Sequence, residues 1–340
     1  MKALITAPFH EEGIRILRKY MQVDYENWKE TGKMYSDANE FADKINKNNY
    51  DVLILETEQV DEDVLSKCPG VKIIASCRGN PINIDREAAS SRGIPIFYTP
   101  ARNAQAVAEH TIAIMFAAVK HLISMDRELH AGKLKIESED DLTKMFNRWT
   151  SFEIGGKTVG VIGLGAIGYR VAKMLDAGFG CKILVYEPYP NEARLKEVNG
   201  TLVDLNTLMK ESDIVSLHVP ITPETEKLVG AEQFALMKPH AVFVNTARAY
   251  CTDEDALFEA VKNKKIAAAA IDVSEVEPID SDNRFLQFDN VVVTPHMAGQ
   301  TFEIPYHQAV MIGEDIERYL NGKKPWYVKN KEALEGKDLK

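Results

Sequence analysis

Three ionisable side chains follow apolar segments that have the composition of buried strands. The segment AVFVNTAR ends on Arg248, IAAAAIDVSEVEP leads to Glu277, and VVVTPH ends on His296. Ligands of open parallel sheets bind beyond the carboxyl ends of the strands, so this is where chemistry is expected. The guanidinium fork of an arginine matches a carboxylate. A histidine beside a carboxylate can hand a proton to a carbonyl oxygen at neutral pH.

Together with a hydride donor, the three groups describe the reduction of a 2-oxo acid. Arg248 would hold and polarise the substrate, His296 would be the acid, and Glu277 would orient His296; in the reverse direction His296 would be the base. Taken singly, each has a simpler explanation. The arginine suits a surface ion pair, the glutamate before Pro278 suits a loop, and the histidine after Pro295 suits backbone hydrogen bonding. The interpretation therefore depends on evidence for a cofactor.

A glycine-rich turn supplies that evidence. Gly163, Gly165 and Gly168 have the G-x-G-x-x-G spacing, with a strand pattern before them and an amphipathic helix after them. The first glycine permits a tight turn, the second lets the backbone approach a pyrophosphate, and the third allows close helix packing, while the helix N-terminus attracts the anion. Glu187 ends the next strand, where a carboxylate accepts the ribose hydroxyls of NAD and repels the 2′-phosphate of NADP. NAD(H) is therefore the expected cofactor; the alternative is a structural glycine turn beside a solvated glutamate.

The elements that must position these residues fall into two series. Residues 1–100 alternate short β-branched runs with helical patterns, which predicts a small α/β layer with parallel strands. From Lys157 a more regular series begins, in which near-continuous apolar strands alternate with helices, so a parallel sheet covered on both faces is predicted. The fold class is therefore α/β, with two doubly wound parallel-sheet, Rossmann-like domains.

The segment between the two series has a different pattern. Residues 103–123 predict a helix that is apolar on nearly all sides, which must be buried between domains or subunits. Residues 124–150 are charged and irregular, with Phe146 and Trp149 as bulky apolar exceptions. This stretch is expected to be an excursion from the main fold.

Composition excludes several classes of function. The 340 residues are 45% apolar and 27% charged, which suits an ordinary globular protein of two domains. A formal charge of −10 repels phosphate backbones and anionic lipid, so neither a nucleic-acid nor a membrane partner is expected, and no 18-residue apolar run occurs. The four cysteines form no CxxC pair, which fits a reducing cytoplasm and argues against a cysteine-based metal site.

In these motifs the chain resembles the NAD-dependent D-isomer-specific 2-hydroxyacid dehydrogenases, the family of phosphoglycerate dehydrogenase, glycerate/hydroxypyruvate reductase and D-lactate dehydrogenase. The resemblance runs from Arg78 to about Gly322 and is specific in combination. Its motifs are NID at Asn83–Asp85, RGIP at Arg92–Pro95, AVAEHT at Ala106–Thr111, GKTVGVIGLGAIG at Gly156–Gly168, NTAR at Asn245–Arg248, DV-x3-EP at Asp272–Pro278 and TPH-x2-G at Thr294–Gly299.

The resemblance implies a domain organisation and an assembly. A smaller, flavodoxin-like substrate domain would be built from residues 1–100 and 299–340, and a larger NAD-binding Rossmann domain from residues 101–298, with hinges near Thr99–Ala101 and His296–Gly299. Homodimers are usual in the family, with the helix and arm of residues 103–150 crossing the two-fold axis. Phe146 and Trp149, which would otherwise be exposed aromatic residues, would then belong to the dimer interface.

The resemblance also implies site residues. The catalytic set falls on Arg248, Glu277 and His296. In addition to the three loop glycines and Glu187, the expected coenzyme contacts are Ala166 and Ile167 at the pyrophosphate, His218, Val219 and Pro220 on the adenosine side, and Thr225, Thr246, Ala247, Arg248, Asp272, His296 and Gly299 in the remaining shell.

Departures from the family pattern concern substrate choice. In many members the loop that binds the substrate carboxylate is glycine-rich, whereas here it reads CRGNPINID, with Arg78, Gly79 and Asn80 as the expected contacts. Arg78 and Asn80 would recognise a second polar or anionic group, unless Arg78 pairs structurally with a neighbour such as Asp85.

Two other departures lie outside this loop. Ala249 replaces the glycine that usually follows the catalytic arginine, here Arg248, which is tolerable if the φ of Ala249 is negative. The sequence runs to residue 340, so the regulatory domain of some phosphoglycerate dehydrogenases is not expected here.

Two other functions fit the same fold. Formate dehydrogenase carries glutamine where this chain has Glu277, so the carboxylate argues against it. An NAD(H)-sensing, corepressor-like binding protein is the alternative from another class, because some such proteins keep the catalytic set. Turnover of 2-oxo acids separates this alternative from an enzyme.

Overall fold

The computed structural model describes all residues, 1–340, in two compact units. One unit comprises Met1–Asn103 and Thr301–Lys340, and the other comprises Ala104–Gln300. The sequence predicts the boundaries at residues 100–101 and 298–299. In the structure the first boundary lies three residues further along the chain, at 103–104, and the second lies two residues further along, at 300–301.

The first unit contains a five-stranded parallel sheet of order β2-β1-β3-β4-β5. Its central strand, β3, is wholly apolar and buried on both faces, because helices cover the sheet on both sides. The elements of its first segment are β1 (Lys2–Ile5), α1 (Glu11–Leu17), β2 (Gln22–Tyr25), α2 (Trp28–Thr31), α3 (Ala38–Asn48), β3 (Val52–Leu55), α4 (Glu62–Lys67), β4 (Ile73–Ser76), α5 (Arg86–Ser91) and β5 (Ile96–Tyr98).

The segment that opens the second unit is helical throughout most of its length. The predicted apolar helix is α6 (Ala104–Val119), which packs against the sheet of this unit and is largely buried. It is followed by α7 (Leu122–His130) and α8 (Glu139–Trp149). Residues 124–150, which are expected to be an excursion from the main fold, are therefore largely helical. The charges mark exposed helix faces, and Ser138 caps α8 by accepting a hydrogen bond from the Asp141 amide at 3.2 Å.

The sheet of the second unit has seven parallel strands, in the order β12-β11-β10-β9-β6-β7-β8. The order reverses direction at β6 and β9, which is the topological switch point of a doubly wound fold. Its elements are β6 (Thr158–Ile162), α9 (Ala166–Phe179), β7 (Lys182–Tyr186), α10 (Glu192–Glu197), β8 (Thr201–Leu202), α11 (Leu205–Glu211), β9 (Ile214–Leu217), α12 (Ala231–Leu236), β10 (Val242–Asn245), α13 (Glu254–Lys262), β11 (Ala268–Ile271) and β12 (Val291–Val293).

The C-terminal segment completes the first unit. Helix α14 (Ile304–Leu320) packs against α1, and the chain after it returns to the sheet, where Val328 forms an antiparallel bridge with Phe97. The buried Asp315 carboxylate fixes this return, because it accepts hydrogen bonds from the amides of Trp326 and Tyr327 at 2.7 and 2.8 Å. Burial raises the pKa of Asp315 above its usual value.

No single helix has both the length and the apolar character needed to cross a membrane. Only the bent pair α6 and α7 meets both criteria, by length and composition alone.

Gly13 allows α1 and α14 to approach each other closely. A Cβ atom at this position would lie 2.5 Å from the Ala309 carbonyl oxygen. We expect Gly13→Ala to lower the melting temperature and to destabilise the first unit by about 1–3 kcal/mol, since backbone cannot yield as a flexible side chain can. Gly70→Ala is the control, because its Cβ would meet nothing within 4 Å. Equal melting temperatures for the two variants would contradict this account of the helix contact.

Candidate active site

Parallel pairing brings the ends of three neighbouring strands to one edge of the second unit. The register aligns Asn245 with Ile271 and Ile271 with Val293, so the segments that follow these residues leave the sheet side by side. Arg248, Glu277 and His296 all belong to these segments. The structure joins the last two in one hydrogen bond and leaves the arginine separate from both.

His296 and Glu277 form a hydrogen-bonded pair. His296 Nδ1 lies 2.8 Å from Glu277 Oε2, and the other carboxylate oxygen of Glu277 accepts a bond from the Ser274 amide at 3.3 Å. An ionised carboxylate can only accept, so Nδ1 carries the proton of this bond. The pair thereby fixes the ring orientation and leaves Nε2 as the nitrogen that can exchange a proton.

The loop that carries His296 is held by Asp272. The fully buried carboxylate of Asp272 accepts the amides of Met297 and Ala298, both at 2.9 Å, and its backbone oxygen accepts the His296 amide at 2.9 Å. His296 itself has a φ of +54°, in the left-handed region that few side chains adopt. Such a conformation persists only where the surroundings over-determine it, and the Asp272 contacts do so. Asp272, predicted as a coenzyme contact, thus also supports the loop.

Arg248 presents a guanidinium that no carboxylate neutralises. The side chain is exposed, and its hydrogen bond is to the neighbouring Ala247 carbonyl at 2.6 Å. The buried Asn245 holds the loop by donating to the Arg248 carbonyl at 3.1 Å and accepting the Ala247 amide at 2.9 Å. Ala249 is outside the left-handed region, so this departure from the family pattern is accommodated. A free guanidinium on a fixed loop is suited to binding an anion.

An open depression of about 300 Å³ lies beside these residues. It is lined by Arg248, Tyr250, Ser274 and Glu277 together with Ile221, Glu226, Lys227, Ala249 and Glu275. The Tyr250 hydroxyl donates to Glu226 at 2.9 Å, which raises the pKa of Tyr250. The depression thus contains polar groups of both signs next to two of the predicted catalytic residues.

The glycine turn has the geometry needed for a dinucleotide. Gly163 has a φ of +92°, and its Cβ would lie 2.8 Å from the His218 carbonyl oxygen. A Cβ on Gly168 would lie 2.0 Å from the Gly163 oxygen, so the helix packs tightly on the turn. Gly165, by contrast, faces open space and begins α9 without a side-chain cap, which leaves the first amides of the helix, at Ala166 and Ile167, without a capping side chain. These residues fit the pyrophosphate of NAD(H).

Glu187 lies directly against this turn. Its carboxylate accepts the Leu164 amide at 2.9 Å and the Tyr189 amide at 3.1 Å. Each carboxylate oxygen has further acceptor capacity, so the group is able to accept ribose hydroxyls as well. This geometry fits the sequence-based role of Glu187 toward NAD(H).

The residues predicted on the adenosine side follow β9. His218 Nε2 lies 2.8 Å from Ser216 Oγ, while Nδ1 is buried without a hydrogen-bond partner. Burial lowers the pKa of His218 to about 3, so the ring is neutral at physiological pH. Val219 and Pro220 follow it at the same edge, and Val219 also approaches the glycine turn.

Two of the predicted coenzyme contacts form hydrogen bonds with other residues of the protein. The Thr225 hydroxyl accepts the Thr222 amide at 2.9 Å and donates to the Pro220 carbonyl at 2.7 Å, so it closes its own turn. The Thr246 hydroxyl lies 2.8 Å from that of Thr111, a residue of α6. Gly299 follows the His296 loop near the end of the second unit.

The predicted substrate loop lies at the carboxyl end of β4 in the first unit. Arg78 donates through Nε to the Glu56 carbonyl at 2.6 Å and makes no ion pair with Asp85, which instead caps α5. Asn80 accepts a hydrogen bond from Lys329 Nζ at 3.1 Å, and a Cβ on Gly79 would lie 3.8 Å from the Thr99 carbonyl oxygen. The suggested Arg78–Asp85 pair was therefore wrong. Lys329, which the sequence analysis did not single out, joins the loop.

The sequence analysis also gave no role to His110 and Thr294. His110 Nε2 lies 3.1 Å from Thr294 Oγ1, and Thr294 Oγ1 lies 2.6 Å from Asp272 Oδ1. The available signal was the position of His110 within a mostly apolar helix.

Comparison with known proteins identifies the family. Residues 112–298 match the NAD-binding domain of the D-isomer-specific 2-hydroxyacid dehydrogenases. The chain belongs to this family. Across its whole length it is similar to YoaD of Bacillus subtilis (strain 168), whose name provisionally assigns it to the 2-hydroxyacid dehydrogenases. The two are 39% identical over 339 residues, which cover 98% of this chain and 96% of YoaD.

Other members of the 2-hydroxyacid dehydrogenase family align over most of the chain. D-3-phosphoglycerate dehydrogenase of Archaeoglobus fulgidus is 37% identical over 324 residues, 95% of this chain but 58% of that protein. The apo structure of D-lactate dehydrogenase from Escherichia coli has a TM-score of 0.75 at 28% identity, covering 97% of this chain and all of the other. The predicted α/β fold and family are confirmed, and the chain is an NAD-dependent oxidoreductase.

Gly165 offers a test of the coenzyme site that is separate from stability. We expect Gly165→Ala to fold with an unchanged melting temperature, because its Cβ would meet no protein atom within 4 Å. NADH should bind about tenfold more weakly, as the methyl group occupies the approach to the helix N-terminus. Gly178→Ala, at the other end of α9 and equally free of contacts, is the control. Fluorescence titration with NADH measures both; equal affinities would contradict this position for the pyrophosphate.

Proposed function

We propose that this dehydrogenase interconverts a small 2-oxo acid and the corresponding D-2-hydroxy acid. His296 is the acid-base group, Glu277 orients it, and Arg248 binds the substrate carboxylate and carbonyl. The observation that supports this most directly is the 2.8 Å hydrogen bond between His296 Nδ1 and Glu277 Oε2, which leaves Nε2 for proton transfer.

The proton path follows from this hydrogen bond. NAD(H), when bound, supplies or accepts the hydride. In reduction, the carbonyl oxygen of the substrate takes the proton from His296 Nε2 as the carbon–oxygen double bond becomes single. Glu277 holds the ring in place for this transfer through its hydrogen bond to Nδ1. In oxidation His296 accepts the hydroxyl proton at Nε2, and the bond to Glu277 is kept.

Arg248 supplies the charge that this reaction needs on the substrate side. A chain of net charge −10 repels a carboxylate in general, so a local cation has to hold it. The guanidinium has no carboxylate partner to displace, and two parallel N–H bonds would fix the orientation of a planar 2-oxo acid. Orientation of this kind contributes to the rate as well as to binding.

The coenzyme and substrate contacts are part of the same proposal. The glycine turn with Ala166 and Ile167 holds the pyrophosphate, Glu187 the ribose, and the remaining predicted residues the rest of NAD(H). Arg78, Gly79 and Asn80 are the further substrate contacts that we propose, and the Nη groups of Arg78 have no carboxylate partner. The names of the relatives point to different acids, phosphoglycerate and lactate among them, so the acid used by this chain has to be measured.

We further propose that the protein is a cytoplasmic homodimer. Helices α7 and α8 expose several large apolar side chains, namely Leu122, Ile123, Leu129, Leu142 and Phe146. Exposed apolar groups concentrated in one segment are typical of an interface, and a second copy of this arm is the partner we favour. All four cysteines are free and buried, which fits a reducing compartment.

Turnover tests the acid-base assignment. We expect NADH oxidation, followed at about 340 nm, with at least one of glyoxylate, pyruvate, hydroxypyruvate, phosphohydroxypyruvate and branched 2-oxo acids. His296→Gln should abolish most of that turnover and leave NADH affinity nearly intact, because it removes the proton donor and not the dinucleotide site. His130→Gln, an exposed histidine of α7, is the matched control. A His296→Gln enzyme of near-normal kcat would refute the role of His296.

Sedimentation tests the dimer. A dimer of the 38.1 kDa chain should have twice that mass at micromolar concentration. Phe146→Asp should shift the protein toward the monomer, because it buries a charge at the apolar surface. Phe302→Asp, at a fully exposed residue outside the arm, should leave the dimer intact. A wild-type monomer, or equal effects of both substitutions, would count against this interface.

A further inference from the structure

One hydroxyl group links the His296 loop to both Asp272 and helix α6. Thr294 Oγ1 lies 2.6 Å from Asp272 Oδ1, and His110 Nε2 lies 3.1 Å from the same Oγ1. Asp272 is fully buried, whereas the His110 side chain is a quarter exposed. His110 comes from α6, an element distant in sequence from the loop, so this contact ties the loop to a helix of the core.

Counting protons gives the direction of each bond. The Asp272 carboxylate can only accept, so the single hydroxyl proton of Thr294 is donated to Oδ1. Thr294 Oγ1 then accepts from His110, and His110 Nε2 must carry a proton. The same Nε2 is 3.6 Å from Asp272 Oδ1, so the N–H also faces the carboxylate. His110 is therefore the terminal donor of a chain that runs through Thr294 to Asp272.

The chain ends at the backbone of the catalytic loop. Oδ1 of Asp272 also accepts the Met297 amide, and Oδ2 accepts the Ala298 amide. These two amides follow His296, whose positive φ has to be enforced by its surroundings. A carboxylate shared by Thr294, Met297 and Ala298 keeps its orientation only while each donor stays in place, because hydrogen bonds in a buried network depend on one another.

We propose that His110 is a positioning residue for the acid-base reaction, acting through Thr294 and Asp272 on the conformation of the loop that carries His296. The inference rests on the proposed role of His296. His110 itself makes no hydrogen bond to the Glu277–His296 pair or to the glycine turn; its effect is on the placement of the ring. Removing its N–H leaves the Thr294 hydroxyl without a donor and breaks the hydrogen bond between the loop and α6.

The expected effect is on kcat. His110→Leu should lower kcat for the best 2-oxo acid about 10- to 100-fold, which is the cost of a small misplacement of a catalytic group. The Kd for NADH, from fluorescence titration, should be unchanged. His110→Gln should recover most of kcat, because the glutamine amide can donate to Thr294 Oγ1. His130→Leu, which makes the same change at an exposed histidine, should match the wild type.

A double-mutant cycle tests the route of the effect. Thr294→Val removes the hydroxyl group and should reduce kcat to a similar degree. The double variant His110→Leu/Thr294→Val should lose no more than Thr294→Val alone, since both substitutions break one chain. Multiplicative losses would overturn the proposal, and so would an unchanged kcat in His110→Leu. Equal losses of kcat in His110→Leu and His110→Gln, with a lower melting temperature in each, would show a purely structural role and also overturn it.

The two proposals fail in different ways. If the wild-type protein reduces no 2-oxo acid, or if His296→Gln remains active, the proposed function is wrong and the positioning role falls with it. If His296→Gln is inactive while His110→Leu keeps full kcat, the proposed function stands and only the role of His110 is refuted.

Discussion

The parallel pairing of β10, β11 and β12 is the constraint on which the candidate site depends. In a parallel sheet every strand delivers its following loop to the same edge, so residues far apart in sequence become neighbours there without any long connection. The register between Asn245, Ile271 and Val293 sets which loop positions face one another. Once the strands are paired, a few hydrogen bonds within each loop are sufficient to orient the side chains.

Buried and exposed groups have different roles in these loops. Asn245 and Asp272 are buried, and both form hydrogen bonds with the backbone of a nearby loop. Burying a carboxylate is costly unless it is fully bonded, and Asp272 receives donors at both oxygens. The exposed groups, Arg248 and the Glu277–His296 pair, are thereby left free of structural tasks. The glycine turn shows the same division of roles. Gly163 and Gly168 pack against neighbouring backbone, whereas Gly165 faces open space.

Much of this arrangement could be predicted from local patterns. Apolar runs identify the central strands, and the G-x-G-x-x-G spacing identifies the coenzyme turn, because both signals are contained within a few consecutive residues. The helices within the charged stretch at 124–150 could not be predicted in this way, since exposed amphipathic helices such as α8 look irregular in sequence when their apolar face has no visible partner. The bond of His110 to Thr294, and that of Lys329 to Asn80, join distant segments and leave no local trace. Such contacts become visible only when the tertiary structure is known.

The central claim is that Arg248 and the Glu277–His296 pair act on one 2-oxo acid. The most direct measurement is a crystal structure of the protein with NADH and oxamate, an unreactive analogue of pyruvate. We expect Arg248 to donate one hydrogen bond to the oxamate carboxylate and one to the amide carbonyl oxygen. His296 Nε2 should lie within hydrogen-bond distance of the same carbonyl oxygen while Nδ1 stays on Glu277. An oxamate carboxylate bound elsewhere, or a His296 ring turned away from that oxygen in the complex, would contradict it.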